Sequence, residues 1–271
     1  MLADQPNFST TDAERIARDH YGVDGRATPL TSERDQNFLI EAPDLRIVLK
    51  IANRSERHDL LTAQQDAMTH LASRVRVTPS VVLSVDGQPT VSIDGADGSR
   101  YLAWAITWLG GTPLASARRR SPDLWHDFGR TIGALDSALA DFDHPAIHRD
   151  FYWDLANAPS IIESRRALLE GDAILPTIDA LLAEFEKHTA PSLDALPKAS
   201  IHSDLNDHNV LVGAGKSVED RGQRVTGVVD FGDMVYSYRV GDLAIAAAYS
   251  ILGVREPLDI VRELVRGFSG L

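Results

Sequence analysis

Two short stretches carry oxygen donors at a spacing that suits phosphoryl transfer. The first, Ile201-His202-Ser203-Asp204-Leu205-Asn206-Asp207-His208-Asn209-Val210, sets a carboxylate and an amide five residues apart. The second, Val229-Asp230-Phe231-Gly232-Asp233, adds a further carboxylate about twenty residues after Val210. Moving a phosphoryl group asks little covalent chemistry of a protein. It asks for a base aligned with the attacking hydroxyl and for hard oxygen ligands that keep Mg²⁺ on the phosphates of a nucleotide. Asp204 suits the base, and Asn209 and Asp230 suit the metal ligands.

These stretches need strands on either side to hold them. Residues 196–200 lead into His202, Val210-Leu211-Val212 resumes an extended run, and residues 225–229 lead into Asp230, with 213–224 as a loop. Such flanks bring Asp230 beside Asp204 and Asn209.

Upstream, the pattern is that of a small antiparallel sheet. Extended runs are expected at 27–30, 37–41 and 45–51, with a Pro43-Asp44 turn, then at 81–85, 88–93 and 100–107 around Asp86-Gly87 and Gly95-Ala96-Asp97-Gly98. A first helix opens on Thr11-Asp12-Ala13-Glu14, read as a capping box, and closes at Gly22. The loop Thr31-Ser32-Glu33-Arg34-Asp35-Gln36-Asn37 has no glycine. It can cover phosphates only with help from the Ser32, Gln36 or Asn37 side chains, and is otherwise a surface hairpin loop. Lys50 ends the apolar strand Ile47-Val48-Leu49; alone it reads as a snorkelling lysine, and beside the downstream motif as a phosphate-binding cation. A helix over 55–73 puts Gln64 on the stripe of Leu60, Leu61, Ala67, Met68 and Leu71. There Gln64 either orients Lys50 or is a surface glutamine. Residues 106–111, with Thr107 and Leu109, leave the sheet through Gly110-Gly111, where main-chain groups could read a purine edge.

From Pro122 the pattern turns helical: Leu124, Phe128, Ile132, Leu135 and Leu139 mark one helix, and 158–169 and 178–185 two more. His148-Arg149-Asp150-Phe151-Tyr152-Trp153-Asp154 reads as an amphipathic connector with Trp153 in the core. Residues 239–252 are apolar nearly all round, a buried helix whose Asp242 accepts N–H bonds or caps it. The expected architecture is α+β and bilobal, with a strand-rich nucleotide-binding lobe over 1–109 and a helical catalytic lobe over 110–271.

Composition narrows the partners. The 27 basic and 39 acidic residues leave a net charge of −12, against a nucleic-acid footprint and in keeping with a small cationic substrate, though surplus acid also serves solubility. The run Arg118-Arg119-Arg120 reads as solvated. With no cysteine there is no disulfide, thiol nucleophile or zinc-thiolate site. No apolar run reaches the ~20 residues of a spanning helix, and the first residues lack a signal-peptide pattern, so a cytoplasmic protein without a membrane partner is expected.

The motifs H-S-D-L-N-D-H-N-V and V-V-D-F-G-D resemble the paired motif of the aminoglycoside phosphotransferase and choline kinase superfamily. The narrower resemblance is to hydroxylysine kinase and to phosphotransferase domains fused to class III aminotransferases. It rests on S-E-R-D-Q-N-F at Ser32 to Phe38, Val48-Leu49-Lys50-Ile51-Ala52-Asn53, Gln64, Trp153-Asp154-Leu155 and Asp230-Phe231-Gly232-Asp233-Met234-Val235-Tyr236. The resemblance implies a bilobal protein-kinase-like fold, Mg²⁺ with ATP or GTP as donor, and transfer to the alcohol of a small amine or amino acid. It implies Asp204 as base, Asn209 and Asp230 as metal ligands, Lys50 as phosphate contact and His202 as a brace of the catalytic loop. Asp207, Asp233, Trp153 and Tyr236 are candidates to receive an ammonium group by charge or cation-π contact. Relatives continue for several helices past the equivalent of Leu252, so the chain is expected either to be one domain of a longer protein, fused to or associated with further enzyme domains, or to have an incomplete acceptor site. A nucleotide-binding module without turnover is the second reading. Metal-dependent hydrolysis, a third, lacks the further close carboxylate or His ligands of a two-metal site.

Overall fold

The computed structural model describes residues 5–96, 98–213 and 224–270. The chain forms two compact units, Met1–Thr112 with Thr226–Val229, and Pro113–Val225 with Asp230–Leu271.

The first unit opens on α1 (Thr10–Tyr21), which buries Ala13, Ile16, Ala17 and Tyr21. Its capping box is Ser9 with Asp12, two residues ahead of the expected Thr11 and Glu14. Thr11 is already helical, so the reciprocal bonds fall to the last extended residue, and Glu14 instead accepts the N–H of Ala27 at 3.1 Å. Gly22, at φ 67°, ends the helix in the left-handed region.

The sheet comprises β1 (Arg26–Leu30), β2 (Gln36–Glu41), β3 (Arg46–Ile51), β4 (Val81–Val82), β5 (Thr90–Asp94) and β6 (Arg100–Thr107). The order is β1-β2-β3-β6-β4, with β5 also on β6, and every pairing is antiparallel. β4 is shorter than expected because the chain leaves the ladder early. Val85 N–H turns to the carbonyl of His20, and Ser84 N–H to that of Gln88 across the Asp86-Gly87 turn. In the next turn Gly95 donates to Ser99 at 2.7 Å, while Asp97 lies outside the described residues. Between β3 and β4 runs α2 (His58–Leu71), trimmed at both ends relative to expectation.

Strand parity then sorts the side chains. Ile47, Leu49 and Ile51 of β3 join Phe38, Ile40, Ala103 and Ala105 in one cluster with Ile16 and Ala17 of α1. Lys50 has the opposite parity, and its cross-strand neighbour on β6 is Trp104.

The chain leaves this unit at β7 (Thr112–Pro113). The second unit holds α3 (Pro122–Leu139), α4 (Ala158–Arg165), α5 (Leu175–His188), β8 (Lys198–Ile201), β9 (Val210–Val212), the start of β10 (Val225–Val228), β11 (Val235–Tyr238), α6 (Val240–Ser250) and α7 (Pro257–Ser269). Residues 166–169, expected as helix, tighten into a 3₁₀ turn. The expected loop 213–224 lies, but for its two ends, outside the described residues. Arg120 is not merely solvated: its guanidinium donates to the carbonyls of Leu114 and Ala115 at 3.0 and 3.2 Å.

Helix α7 was not anticipated from the pattern. It buries Ile260, Leu264 and Gly267 at helical spacing and packs on α3 at backbone distance. A Cβ on Gly129 would lie 1.9 Å from the Leu264 carbonyl oxygen, and one on Gly267 would lie 2.0 Å from that of His126. Among the described residues no helix is long and apolar enough to cross a membrane.

Candidate active site

The pairing of β8 with β11 builds the site. These strands are antiparallel with Ile201 opposite Val235, so the loop that starts at His202 and the turn that ends at Met234 emerge at the same end of the pair. Asp204, Asp230 and Asp233 are thereby gathered without needing sequence proximity.

Asp204 is held at both carboxylate oxygens. Asn206 Nδ2 donates to Oδ1 at 2.8 Å and Asn209 Nδ2 to Oδ2 at 2.7 Å, with a further bond from Asn209 Nδ2 to the Asp204 carbonyl at 3.0 Å. Asn206 also accepts the N–H groups of His208 and Asn209 through Oδ1, at 2.8 and 3.1 Å, which closes the loop on itself. Burial raises the Asp204 carboxyl above the ordinary carboxylate range. The Asn206 bond and His202 oppose that shift, and the charges of Asp233 and Asp230 add to it.

The loop's main chain is anchored from α6. Asp242 does not cap its own helix: its two oxygens accept the N–H groups of His202 at 2.9 Å and Ser203 at 2.7 Å. His202 is fully buried, its Nδ1 accepts the Asp204 N–H at 3.3 Å, and its ring stands 4.7 Å from Phe231 at 62°. Those contacts hold the ring in place beneath the loop. Ser203 adopts φ 65° and Asp230 φ 66°, the two side-chain-bearing residues in the left-handed region among the described residues. The turn after Asp230 is tied down by Arg149, which donates to the carbonyls of Gly232 and Met234 at 3.0 and 3.1 Å, with its guanidinium 4.1 Å over Phe151.

The donor set suits a hard divalent cation. Because Asn209 Nδ2 faces Asp204, its Oδ1 is turned away and accepts no hydrogen bond among the described residues, while Asp230 is exposed. Among those residues no three His, Asp or Glu side chains converge to hold a metal alone. An ion held by so few protein oxygens would share its coordination with phosphate oxygens and water, as Mg²⁺ commonly does.

In the first unit, Lys50 is buried, with Nζ 5.0 Å from the Trp104 ring centre. Gln64 is buried on α2, on the stripe of Leu60, Leu61, Ala67, Met68 and Leu71, and so is not a surface glutamine. Gln36 is not available to phosphate: its amide accepts the Phe8 N–H and donates to the Phe8 carbonyl, both at 2.8 Å, and so fastens the segment before α1 to β2. Asn37, opposite Lys50 in the ladder, keeps a buried Oδ1 without a hydrogen-bond partner among the described residues, and Ser32 is exposed. Thr107 Oγ1 accepts the Ser80 N–H at 3.0 Å, whereas the main chain of Leu109 makes no hydrogen bond among the described residues.

Trp153 corrects the expectation of a core residue. It is 68% exposed, against the edge of Tyr152 at 5.0 Å, because Asp154 rather than the indole fixes this segment, by accepting from Ser237 Oγ at 2.7 Å and from Ala156 N–H at 3.0 Å. Tyr236 is partly exposed and stacks on His148 at 4.5 Å. Asp207 gives its carbonyl to the Ala115 N–H at 2.7 Å and leaves its side chain half-buried. Reading the sequence missed two residues, Asn206 and Arg149. The signal for Asn206 was an Asx residue inside a tight polar turn; a lone arginine in an aromatic connector gives none.

A family model described as "Phosphotransferase enzyme family" matches residues 26–269. Hydroxylysine kinase of Mus musculus is 30% identical over 287 residues, which span 98% of this chain and 76% of that protein. Among solved structures, the microcompartment-associated aminopropanol kinase superposes with a TM-score of 0.68 at 21% identity, covering 97% of this chain and 81% of that one. Amicoumacin kinase hAmiN in complex with AMP-PNP, Ca²⁺ and Ami does so with 0.69 at 12% identity, covering 97% and 78%. At those identities the likeness speaks for the fold, which is α+β and protein-kinase-like as expected. Matched over nearly its whole length, and with Asp204 and Asp230 gathered by one strand pair, the chain belongs to the phosphotransferase enzyme family.

Proposed function

We propose that this protein transfers the γ-phosphoryl group of ATP or GTP to the hydroxyl of an amino alcohol or hydroxy amino acid of the hydroxylysine kind, with Mg²⁺ on the donor. The observation that carries this is the double grip of Asn206 and Asn209 on the Asp204 carboxylate, which fixes a base in one orientation. The hydroxylysine and aminopropanol kinases among its relatives supply the acceptor class.

Asp204 accepts the proton of the attacking hydroxyl and, before that, aligns it. Lys50 contacts phosphate, and the Leu109 main chain, open at the strand exit, takes the purine edge. Asn209 Oδ1 and the Asp230 carboxylate would hold the cation, which would neutralise charge on the donor phosphates. Asp233 and Asp207 offer charge to the acceptor's ammonium, and Tyr236 and Trp153 offer exposed aromatic faces.

The test is an acceptor panel. The chain is incubated with ATP or GTP, Mg²⁺ and hydroxylysine, 1-amino-2-propanol, ethanolamine and related hydroxy amines, and the products are read by mass spectrometry. A phosphorylated hydroxy amine is expected, and Asp204→Asn should lower kcat by about 10²–10⁴-fold with nucleotide affinity nearly unchanged. Tight nucleotide binding with no phosphorylated acceptor across the panel would overturn the reading in favour of a silent nucleotide-binding module.

A further inference from the structure

Asp136, on α3, is fully buried, and no N–H or O–H group among the described residues donates to either of its carboxyl oxygens. An ionised carboxylate in that position would be costly. Its close neighbour is Asp242 of α6, also fully buried, the residue whose two oxygens accept the main-chain N–H groups of His202 and Ser203. Two carboxyls within hydrogen-bonding reach in a dry interior retain a proton between them. The donors decide which one keeps it: Asp242 receives two N–H bonds and carries the charge, while Asp136 receives none and carries the proton.

The surrounding charges agree with that assignment. Burial first, then the charge of Asp242, push the Asp136 carboxyl up to about 9, against the pull of Arg239. Burial also raises Asp242, while His202 and the two main-chain bonds hold its charge in place. The other helix along α3, α7, sets Glu263 beside His126, ten residues before Asp136.

We propose that Asp136 is a positioning residue: it remains a neutral acid, donates its proton to Asp242, and so fixes the carboxylate that holds the catalytic loop at His202 and Ser203. The proposal rests on the proposed function only in calling that loop catalytic. Its test reads stability and amide exchange, without turnover, so either can fail alone.

The sign follows from linkage. Asp136 binds its proton more tightly folded than unfolded, so its contribution is fully present below an unfolded value near 4 and is lost as pH rises toward about 9. Asp136→Asn keeps a donor toward Asp242 and does not titrate. Thermal unfolding of both proteins between pH 5 and pH 9 should therefore show the Asn variant gaining on the wild type by at least about 4 °C across that range. A difference that is flat, or that falls with pH, overturns the shared proton. Hydrogen exchange read by mass spectrometry on the peptide covering residues 201–205 supplies the second arm. Asp136→Leu should speed its exchange by about tenfold or more, and Asp136→Asn should restore slow exchange. Exchange unchanged in the Leu variant overturns the positioning role.

Discussion

Asn206 works on the Asp204 carboxylate from inside the loop, with its oxygen closing the turn and its amide nitrogen on Asp204. Removing it frees one carboxylate oxygen and loosens the turn that presents the other. Asn206→Ala is expected to lower kcat by about 10–100-fold, the scale of a small misplacement of a reacting group, with a smaller change in the KM for nucleotide; steady-state kinetics on both substrates would check this. Asp204, Asn209 and Asp230 were legible in the sequence as candidates, because the proposed phosphoryl transfer calls for their residue types at turns. Asn206 was not, since nothing in Asp-Leu-Asn-Asp-His-Asn separates a side chain that organises from one that is solvated. Asp242 was legible as an acceptor but not by recipient, because the N–H groups it takes lie about forty residues away in sequence. Gln36 shows the reverse: a plausible phosphate contact by position, it is engaged by the Phe8 main chain, a partner that only the fold supplies.

At the scale of elements, the sheet was the easiest part to read. Alternation and turn residues marked each strand of the first unit to within a few positions, apart from the shortened β4. The crossing of α3 with α7 was invisible, because a glycine within a helix reads only as a weak helix former until its neighbour is known. Here Gly129 and Gly267 let two backbones meet, and neither has room for a methyl group. Gly129→Ala gains helix propensity yet forces α7 away, and the second effect wins: a loss of about 1–3 kcal/mol is expected, measurable as a lower urea midpoint at unchanged slope. The same variant tells whether α7 is integral to the second unit, since a helix held loosely would absorb the methyl with little loss.

For the molecule as a whole, charge is the property most plainly written in the composition. A net charge of −12 surrounds a site that, in the proposed reaction, accepts a cation. Such a field concentrates the acceptor, so raising ionic strength from about 10 to 150 mM should lower kcat/KM severalfold for a hydroxy amine and leave it nearly constant for a neutral alcohol of the same size. Comparing the two acceptors in one salt series separates steering from a general salt effect on the enzyme. Composition could not show where the molecule places its conformational strain. Ser203 and Asp230 both occupy a backbone region that glycine enters more readily, and the buried Ser203 hydroxyl has no hydrogen-bond partner among the described residues. In evolutionary terms, those positions set two pressures against each other. Drift toward stability favours glycine at each, whereas under the proposed reaction selection for turnover keeps a carboxylate at 230 and a stiff main chain at 203, so a lineage freed from its substrate would be expected to lose these residues first.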